Sequence, residues 1–313
     1  MQIHFTKMQG CGNDYVYISG FSEHIPQEKK PDFVRAMSDR HFGIGGDGVI
    51  FINPSEKADF EMEMFNADGT RSEMCGNGIR CVAKFVYDKG LTDQTDIRVI
   101  SGGSVKRLKL FVENGKVERV RVNMGKPVLE PEQIPVEAER IFTKEERSAV
   151  SSEQLPEETI LAEAVKIAEE KAIAACPITA NGKKWHMTCV SMGNPHAVVY
   201  VEDVEKLEIE KDGPAFENHP CFPRRVNTEF VSVADRKNVR MRVWERGTGE
   251  TLACGTGCCA VAVAGVLNGV TDRAVTVHVP GGGLFIEWDE ESGDVFMTGP
   301  AETVFEGCVD WEG

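Results

Sequence analysis

The sequence predicts an α+β fold of two pseudo-symmetric domains, each a strand-rich sheet or barrel wrapped around a central helix. A Cys-Gly-x-Gly motif occurs twice, at Cys75 and at Cys254, which are 179 positions apart (254 − 75). An apolar stretch follows each motif and stops at a glycine, Gly90 or Gly269, 15 positions after the cysteine. A spacing that recurs in both halves indicates a duplicated domain.

A second correspondence lies upstream of each motif. Gly12-Asn13 resembles Gly193-Asn194 at a spacing of 181. The 313 residues suit two domains of about 100–200 residues each. We expect an N-terminal domain over 1–123, with a C-terminal strand at about 301–313 added to it, and a second domain over 124–300.

Local patterns predict the elements of each half. The residues after each motif predict a helix of about four turns, ended by a glycine of C-cap type. Because such a helix is apolar nearly all round, we expect it to be buried at the centre of its own half, with a cleft between the halves. Alternating and β-branched stretches predict strands, and they include 97–100, 117–122, 197–201, 239–243 and 275–279.

The segment at about 143–176 breaks the symmetry of the two halves. It begins with a capping-box pattern, Thr143 to Glu146, and continues after Pro156 as an amphipathic stretch with one apolar stripe. We expect a helical insertion in the second domain that ends at Cys176-Pro177. The simplest interpretation is a surface elaboration.

Composition excludes several classes of function. With 35 basic and 50 acidic residues the net charge is −15, which disfavours binding to nucleic acid or to anionic lipid. No secretory signal and no apolar run near the ~20 residues of a membrane span is present, so we expect a cytoplasmic protein. The ten cysteines contain no C-x-x-C pair, so we expect reduced thiols and no metal site.

The two motif cysteines predict acid-base chemistry. Each lies where a glycine-rich turn enters a helix, and the free N–H groups there should lower a thiol pKa from about 8.5 toward neutrality. The same groups could hold a carboxylate. Inversion of an amino acid removes a proton from one face of the α-carbon and returns one to the other. Cys75 and Cys254, one as the thiolate and the other as the thiol, meet that demand without a cofactor.

Two other thiol chemistries fit the sequence poorly. A cysteine phosphatase places Arg six positions after Cys, whereas Arg80 lies five after Cys75 and the second motif has no such Arg. A thiol–disulfide oxidoreductase would need a resolving cysteine at short spacing. The remaining cysteines that we interpret as small buried apolar residues are Cys81, Cys189, Cys258, Cys259 and Cys308.

Seven stretches, in order through nearly all of the chain, closely resemble the diaminopimelate epimerases. They are FTKMQGCGND at 5–14, FNADG at 65–69, MCGNGIR at 74–80, MGNPH at 192–196, NTEF at 227–230, WERGTGET at 244–251 and ACGTG at 253–257. Their combination is far more specific than any one motif.

The resemblance implies interconversion of LL- and meso-2,6-diaminoheptanedioate, a step toward lysine and peptidoglycan. For the LL substrate it implies Cys254 as proton acceptor and Cys75 as proton donor, and it suggests a homodimer. The residues implied to hold the reacting carboxylate are Gly76, Asn77, Gly255 and Thr256.

The other end of that substrate is a second amino-acid centre. The asparagines that match the family and could bind it are Asn13, Asn66, Asn194 and Asn227. Arg246 could clamp a carboxylate, Glu245 could take an ammonium, and His196 could tune the protonation of the thiols. Taken alone, a Gly-Asn pair is typical of a turn, and a Glu-Arg pair of a solvated surface.

The sequence departs from the family at two places and leaves two other functions open. Gly48 stands where many relatives carry a substrate-contacting Gln, and the insertion lengthens a connection that is usually shorter. One alternative is a related two-cysteine racemase of proline, hydroxyproline or histidine type; the other is a non-catalytic thiol protein that binds ligands. Arg246 with Glu245 favours a substrate whose far end carries both charges, which hydroxyproline does not have.

Overall fold

The computed structural model of the chain describes residues 1–72, 75–137, 140–141 and 173–312. The chain divides into two compact units. The first consists of Met1–Asn123 together with Met297–Gly313, and the second of Met124–Phe296. Most of the predicted insertion, 143–172, lies outside the described residues. Its predicted last residue, Cys176, is instead the first residue of a strand.

The first unit is rich in strands and contains two helices. Its helices are α1 (Lys30–Ser38) and α2 (Gly76–Asp88). Its strands are β1 (Gln2–Gly10), β2 (Asn13–Ser19), β3 (Gly48–Asn53), β4 (Phe60–Asn66), β5 (Arg71–Ser72), β6 (Asp96–Ser101), β7 (Ser104–Glu113), β8 (Lys116–Gly125) and, from the C-terminal segment, β18 (Glu302–Asp310).

The second unit is also rich in strands. Among its described residues the α-helices are α3 (Ile209–Glu217) and α4 (Gly255–Leu267). Its strands are β9 (Cys176–Ala180), β10 (Lys183–Ser191), β11 (Pro195–Tyr200), β12 (Asn227–Asp235), β13 (Asn238–Glu245), β14 (Gly249–Thr251), β15 (Ala274–Val279) and β16 (Gly282–Trp288). Strand β17 (Val295–Pro300) includes the point where the chain passes from this unit to the first one.

The two units have the same strand order and the same strand directions. In the first unit the order is β18-β1-β2-β3-β4-β6-β7, and all neighbours are antiparallel except β2 with β3 and β4 with β6. In the second unit the order is β9-β10-β11-β12-β13-β15-β16, and the parallel pairs fall at the same places. This repetition confirms the predicted α+β fold with pseudo-symmetric halves.

The helices also correspond between the units. Helix α4 begins 179 positions after α2 (255 − 76), and α3 begins 179 positions after α1 (209 − 30). The first correspondence was predicted from the sequence. The second was not, because α1 and α3 share little sequence and only their place in the topology relates them. None of the helices among the described residues has the length and apolarity needed to cross a bilayer.

Each unit buries one helix among its strands, as predicted. Residues 76–86 of α2 are all buried, and the helix packs on β1, β2, β6, β7 and β18. Ten residues of α4 are buried, and this helix packs on β10, β11, β12, β15 and β16. Gly90 and Gly269 follow the two helices with φ of +72° and +67°, the left-handed conformation that glycine adopts at a C-cap.

A charged residue lies inside α2, although the helix is otherwise largely apolar. Arg80 is wholly buried, and its guanidinium donates hydrogen bonds to Gly76 O (3.1 Å), Asn77 Oδ1 (3.0 Å) and Pro300 O (3.0 Å). Because these oxygens replace the water that the cation loses, the burial is tolerated. The side chain thereby fixes the first turn of α2.

A second layer covers the other face of each sheet. In the first unit Ile50 contacts Gly78 of α2, whereas its neighbour Phe51 packs on Phe33 of α1. In the second unit Phe216 of α3 packs edge-on against Trp185 and Phe230. The alternation of side chains along a strand therefore gives each sheet an inner and an outer apolar face.

The interpretation of Cys308 as a buried residue is wrong. This cysteine is exposed on β18, whereas Cys81, Cys189, Cys258 and Cys259 are buried as expected. Its strand has most of its side chains exposed. The apolar character of cysteine therefore could not predict its exposure, which depends on what covers the strand.

Candidate active site

Cys75 is the N-cap residue of α2. Its backbone is extended (φ −131°, ψ 115°), and its sulfur accepts a hydrogen bond from the N–H of Gly78 at 3.3 Å. An N-cap side chain that accepts such a bond satisfies one of the free donors in the first turn. The motif glycines permit this close turn, because a Cβ on Gly78 would come within 2.8 Å of the Ile50 side chain.

The Cys75 thiol also contacts an amide from a distant strand. Its Sγ lies 3.0 Å from Asn13 Oδ1, and Asn13 Nδ2 donates to Asp47 Oδ2 at 2.7 Å. Asp47 in turn accepts from Arg40 at 2.9 Å. The structure therefore joins two predicted site residues, Cys75 and Asn13, and adds Asp47, which the sequence analysis missed. Its only sequence signal was its place in the glycine-rich stretch before Gly48.

The other predicted residues of the first unit serve local structure. Gly76 and Asn77 lie in the first turn of α2, where Asn77 Oδ1 accepts a hydrogen bond from Arg80. Asn66 donates to Thr70 Oγ1 at 3.1 Å, within the turn after β4. This side-chain hydrogen bond of Asn66 lies within that turn and does not involve Cys75.

Cys254 holds the same position at the start of α4. Its backbone is also extended (φ −116°, ψ 110°). Its Sγ lies 3.5 Å from Thr256 Oγ1, the Gly257 N–H donates to it, and the thiol donates a hydrogen bond to the Glu245 carboxylate. Glu245 also accepts from Thr251 Oγ1 at 2.5 Å. Three predicted residues, Cys254, Thr256 and Glu245, are therefore brought together.

A second predicted group surrounds His196, which is wholly buried. Its Nδ1 lies 2.7 Å from Glu229 Oε1, and its Nε2 lies 3.0 Å from Asn194 Oδ1. The parallel pairing of β11 with β12 sets this contact, since His196 lies opposite Asn227 and Glu229 is two residues further along. Glu229 belongs to the NTEF stretch, but nothing in its sequence context predicts this contact.

Asn227 and Arg246 are also joined. Asn227 Oδ1 accepts the backbone N–H of Arg246 at 2.9 Å. The Arg246 side chain is exposed, its Nη1 donates to Arg224 O at 3.2 Å, and it forms no ion pair with any residue that the structure describes. A guanidinium of this kind can still pair with a carboxylate in solution.

The environment of Cys254 raises the pKa of its thiol well above the usual value. Burial is the main cause, and the nearby Glu245 and Glu229 add to it, whereas bonds from Thr256 and the Gly257 N–H act in the opposite direction. The prediction of a lowered pKa is therefore wrong for Cys254, because loss of solvent outweighs the helix start. Burial also raises the pKa of Glu245.

One group of described residues brings together nitrogen, oxygen and sulfur atoms that could bind a metal ion. A ring nitrogen of His196, a carboxylate oxygen of Glu229 and the Cys254 sulfur lie within 4.8 Å of one another. Zinc accepts such a set, and in the structure the imidazole Nδ1 and Glu229 Oε1 bond to each other at 2.7 Å. The absence of a metal and of an organic cofactor stays a prediction from the sequence.

Comparison with known proteins decides the family. The family model described as Diaminopimelate epimerase matches residues 5–130 and 188–304. The chain belongs to the diaminopimelate epimerase family. The resemblance inferred from the seven stretches is thereby confirmed.

Individual relatives within the diaminopimelate epimerase family match nearly the whole chain. The diaminopimelate epimerase of Agathobacter rectalis is 53% identical over 306 residues, covering 98% of this chain and 99% of the relative. That of Acetivibrio thermocellus is 50% identical over 306 residues, covering 98% of each.

Solved structures with low sequence identity share the fold. A phenazine biosynthesis protein of the PhzF family from Bacillus anthracis has a TM-score of 0.67 at 15% identity, covering 99% of this chain and 100% of the other. A hydroxyproline epimerase from Agrobacterium vitis has a TM-score of 0.63 at 13% identity, covering 98% and 91%. These likenesses show the fold alone.

Proposed function

We propose that this chain is an isomerase that interconverts LL- and meso-2,6-diaminoheptanedioate without a cofactor, on the route to lysine and peptidoglycan. Membership of the diaminopimelate epimerase family supports the reaction and the substrate. The observation that carries the mechanism is the placement of Cys75 and Cys254 as N-cap residues of corresponding buried helices.

In this mechanism Cys254 accepts the α-proton of the LL substrate and Cys75 returns a proton to the opposite face. The contacts of each thiol support these roles. Cys75 donates its S–H to Asn13, so it holds a proton that it can give. Cys254 donates to Glu245, whose carboxylate is placed to take that proton and leave a thiolate.

The reacting carboxylate gains negative charge as the α-proton leaves. We propose that the backbone N–H groups at the two helix starts stabilise it, from Gly76 and Asn77 and from Gly255 and Thr256. Each pair lies in the first turn of its helix. Since these donors are fixed by the helix, they need little reorganisation when the charge develops.

The distal amino-acid centre would be bound by polar side chains. We propose Arg246 for its carboxylate, because this guanidinium is exposed and pairs with no described acid. The asparagines proposed to bind the same centre are Asn13, Asn66, Asn194 and Asn227. For Glu245 the contact with Cys254 favours an acid-base role over binding of an ammonium.

The direct test measures exchange and inversion together. Reduced protein is incubated with the LL substrate in deuterated water without pyridoxal phosphate. We expect deuterium at one α-carbon by mass spectrometry and meso product by chiral chromatography. Absence of both, with the thiols confirmed reduced, would exclude the enzyme and favour a non-catalytic thiol protein. Proline, hydroxyproline and histidine serve as competing substrates, and faster exchange on one of them would replace the proposed substrate.

Replacement of Glu245 should move the pH profile of the reaction. Since burial and Glu245 raise the pKa of Cys254, and a thiolate is the reactive form, kcat/KM for the LL substrate should rise with pH into the alkaline range. Glu245→Gln removes a negative charge beside the sulfur, so the rising limb should move to lower pH while kcat falls by about 10- to 100-fold. The matched control is Glu250→Gln, an acid near the same hairpin that pairs with Arg242. If the rising limb of the kcat/KM profile lies at the same pH in Glu245→Gln as in the parent protein, Glu245 does not set the pKa of Cys254.

We further propose a cytoplasmic homodimer. The ten cysteines, all among the described residues, form no disulfide, which suits a reducing compartment. Strand β18 exposes the apolar side chains of Val304 and Phe305, which would favour burial against a second copy. Light scattering should give twice the 34.5 kDa of one chain, and a single-chain mass would contradict the dimer.

A further inference from the structure

We propose that Asp47 is a positioning residue, which fixes the Asn13 amide so that Cys75 is kept as the protonated thiol. This inference deepens the proposed function and rests on it only for the name of the reaction. The state of the Cys75 sulfur can be measured without any turnover.

The polarity of the hydrogen bonds at Asp47 sets the orientation of the Asn13 amide. An ionised carboxylate only accepts, so the group of Asn13 that faces Asp47 Oδ2 at 2.7 Å must be the NH2. The backbone N–H of Asp14 donates to the same oxygen at 3.1 Å. The Asn13 amide therefore has one permitted orientation beside Asp47.

That orientation decides what faces the sulfur. With its NH2 turned to Asp47, Asn13 presents Oδ1 to Cys75 at 3.0 Å. An amide oxygen has no proton to give, so a thiol can donate to it, whereas a thiolate would lie against its lone pairs. Asp47 thus favours the thiol at Cys75 through the amide between them.

Basic side chains surround Asp47 and its neighbour Asp14. Arg40 lies 2.9 Å from Asp47 and 2.7 Å from Asp14, and Lys7 lies 2.6 Å from Asp14. Burial raises the pKa of Asp14, but the bonds from Arg40 and Lys7 outweigh it and hold that pKa below its usual range. The carboxylates and cations together leave Asp47 little freedom to turn away from Asn13.

The second unit lacks this arrangement. The counterpart of Gly48 is Asn227 (48 + 179), since each lies at the start of the corresponding parallel pair, so the position of Asp47 corresponds to Val226. The counterpart of Asn13 is Asn194 (13 + 181), and its Oδ1 faces His196 instead of a sulfur. The two thiols therefore differ in their hydrogen-bond partners. Only Cys75 faces an amide oxygen of this kind, which suits it to the role of proton donor.

Two ionisable side chains lie near Cys75, Tyr17 and Cys81, and both are wholly buried. Burial raises the pKa of Cys81 to about 11 and that of Tyr17 well above its usual value. Both therefore stay neutral over about pH 6 to 9 and do not themselves titrate beside Cys75 in that range.

The test is the pH dependence of alkylation of Cys75 by iodoacetamide, resolved by mass spectrometry of its peptide. Asp47→Asn lets the Asn13 amide turn and donate N–H to the sulfur, so alkylation near pH 7.5 should become about three- to tenfold faster. The matched control is Asp59→Asn, because Asp59 is 39% exposed and 3.1 Å from Arg98, whereas Asp47 is 38% exposed and 2.9 Å from Arg40. The control should alkylate as the parent protein does.

A second pair of variants separates positioning from simple charge. Asn13→Ala should itself speed alkylation, because the accepting oxygen is gone, and adding Asp47→Asn to it should then change nothing further. An unchanged profile in both single variants, or an Asp47 effect that persists without Asn13, would overturn the proposal. If the alkylation shift occurs but the protein epimerises no substrate, the inference about the thiol stands and the proposed function fails.

Discussion

Cys75→Ala and Cys254→Ala should each lower kcat for epimerisation by at least about 1,000-fold. A positioned acid or base contributes about 100- to 10,000-fold, and each variant removes the group that handles the proton on one face. Turnover is followed by chiral chromatography, and circular dichroism establishes that each variant is folded. The α-hydrogen of the LL substrate should exchange with deuterated water faster in Cys75→Ala than in Cys254→Ala, because the proposed proton acceptor is still present in Cys75→Ala.

Neighbouring cysteines in the same helices supply matched controls. Cys81 and Cys258 are wholly buried in α2 and α4, so Cys81→Ala and Cys258→Ala remove a thiol without touching the two helix starts. We expect these variants to keep kcat within about threefold, with a lower melting temperature from the small cavity. Near-normal turnover in either Cys75→Ala or Cys254→Ala would exclude the two-base mechanism.

Glu229→Leu should destabilise the protein and also lower kcat for epimerisation by about 100-fold. Glu229 and His196 are wholly buried, and their side chains bond at 2.7 Å. Removal of the carboxylate leaves the imidazole Nδ1 without its partner, which costs about 1–3 kcal/mol of unfolding free energy. The imidazole also loses the bond that orients it beside Cys254, and a misplaced group of this kind costs about 100-fold in rate.

The neighbouring residue supplies a control on the same strand. Thr228 is also wholly buried, and its Oγ1 has no hydrogen-bond partner among the described residues. Thr228→Val keeps the shape and removes only this hydroxyl, so we expect an unchanged or higher melting temperature and normal kcat. Thermal denaturation and steady-state rates compare the two variants. Equal behaviour of Glu229→Leu and Thr228→Val would show that the His196 contact has no catalytic role.

Local sequence patterns predicted much of the fold. The predicted helix after each cysteine is present in both units, and it ends before the predicted glycine. The correspondence of α1 with α3 escaped the sequence analysis, because it rests on equal position in the topology and not on similar residues. The exposure of Cys308 also escaped it, since exposure depends on packing between strands distant in the chain.

The site shows the same division between local and distant information. The family's stretches predicted the motif cysteines, His196, Glu245 and the asparagines as site residues. It did not identify Asp47 or Glu229 as partners of these residues. Their contacts depend on strand pairing, which the residue types alone do not specify.

The sequence by itself determined the duplicated architecture, the family and the two cysteines at helix starts, because glycines, caps and apolar periodicity act over a few residues. Only the tertiary structure decided what surrounds each thiol. Asn13 reaches Cys75 from 62 positions away, and Glu229 reaches His196 from 33. Burial and these distant side chains set the charge preference of the sulfur, and at Cys254 they reverse the shift that the helix start alone would give.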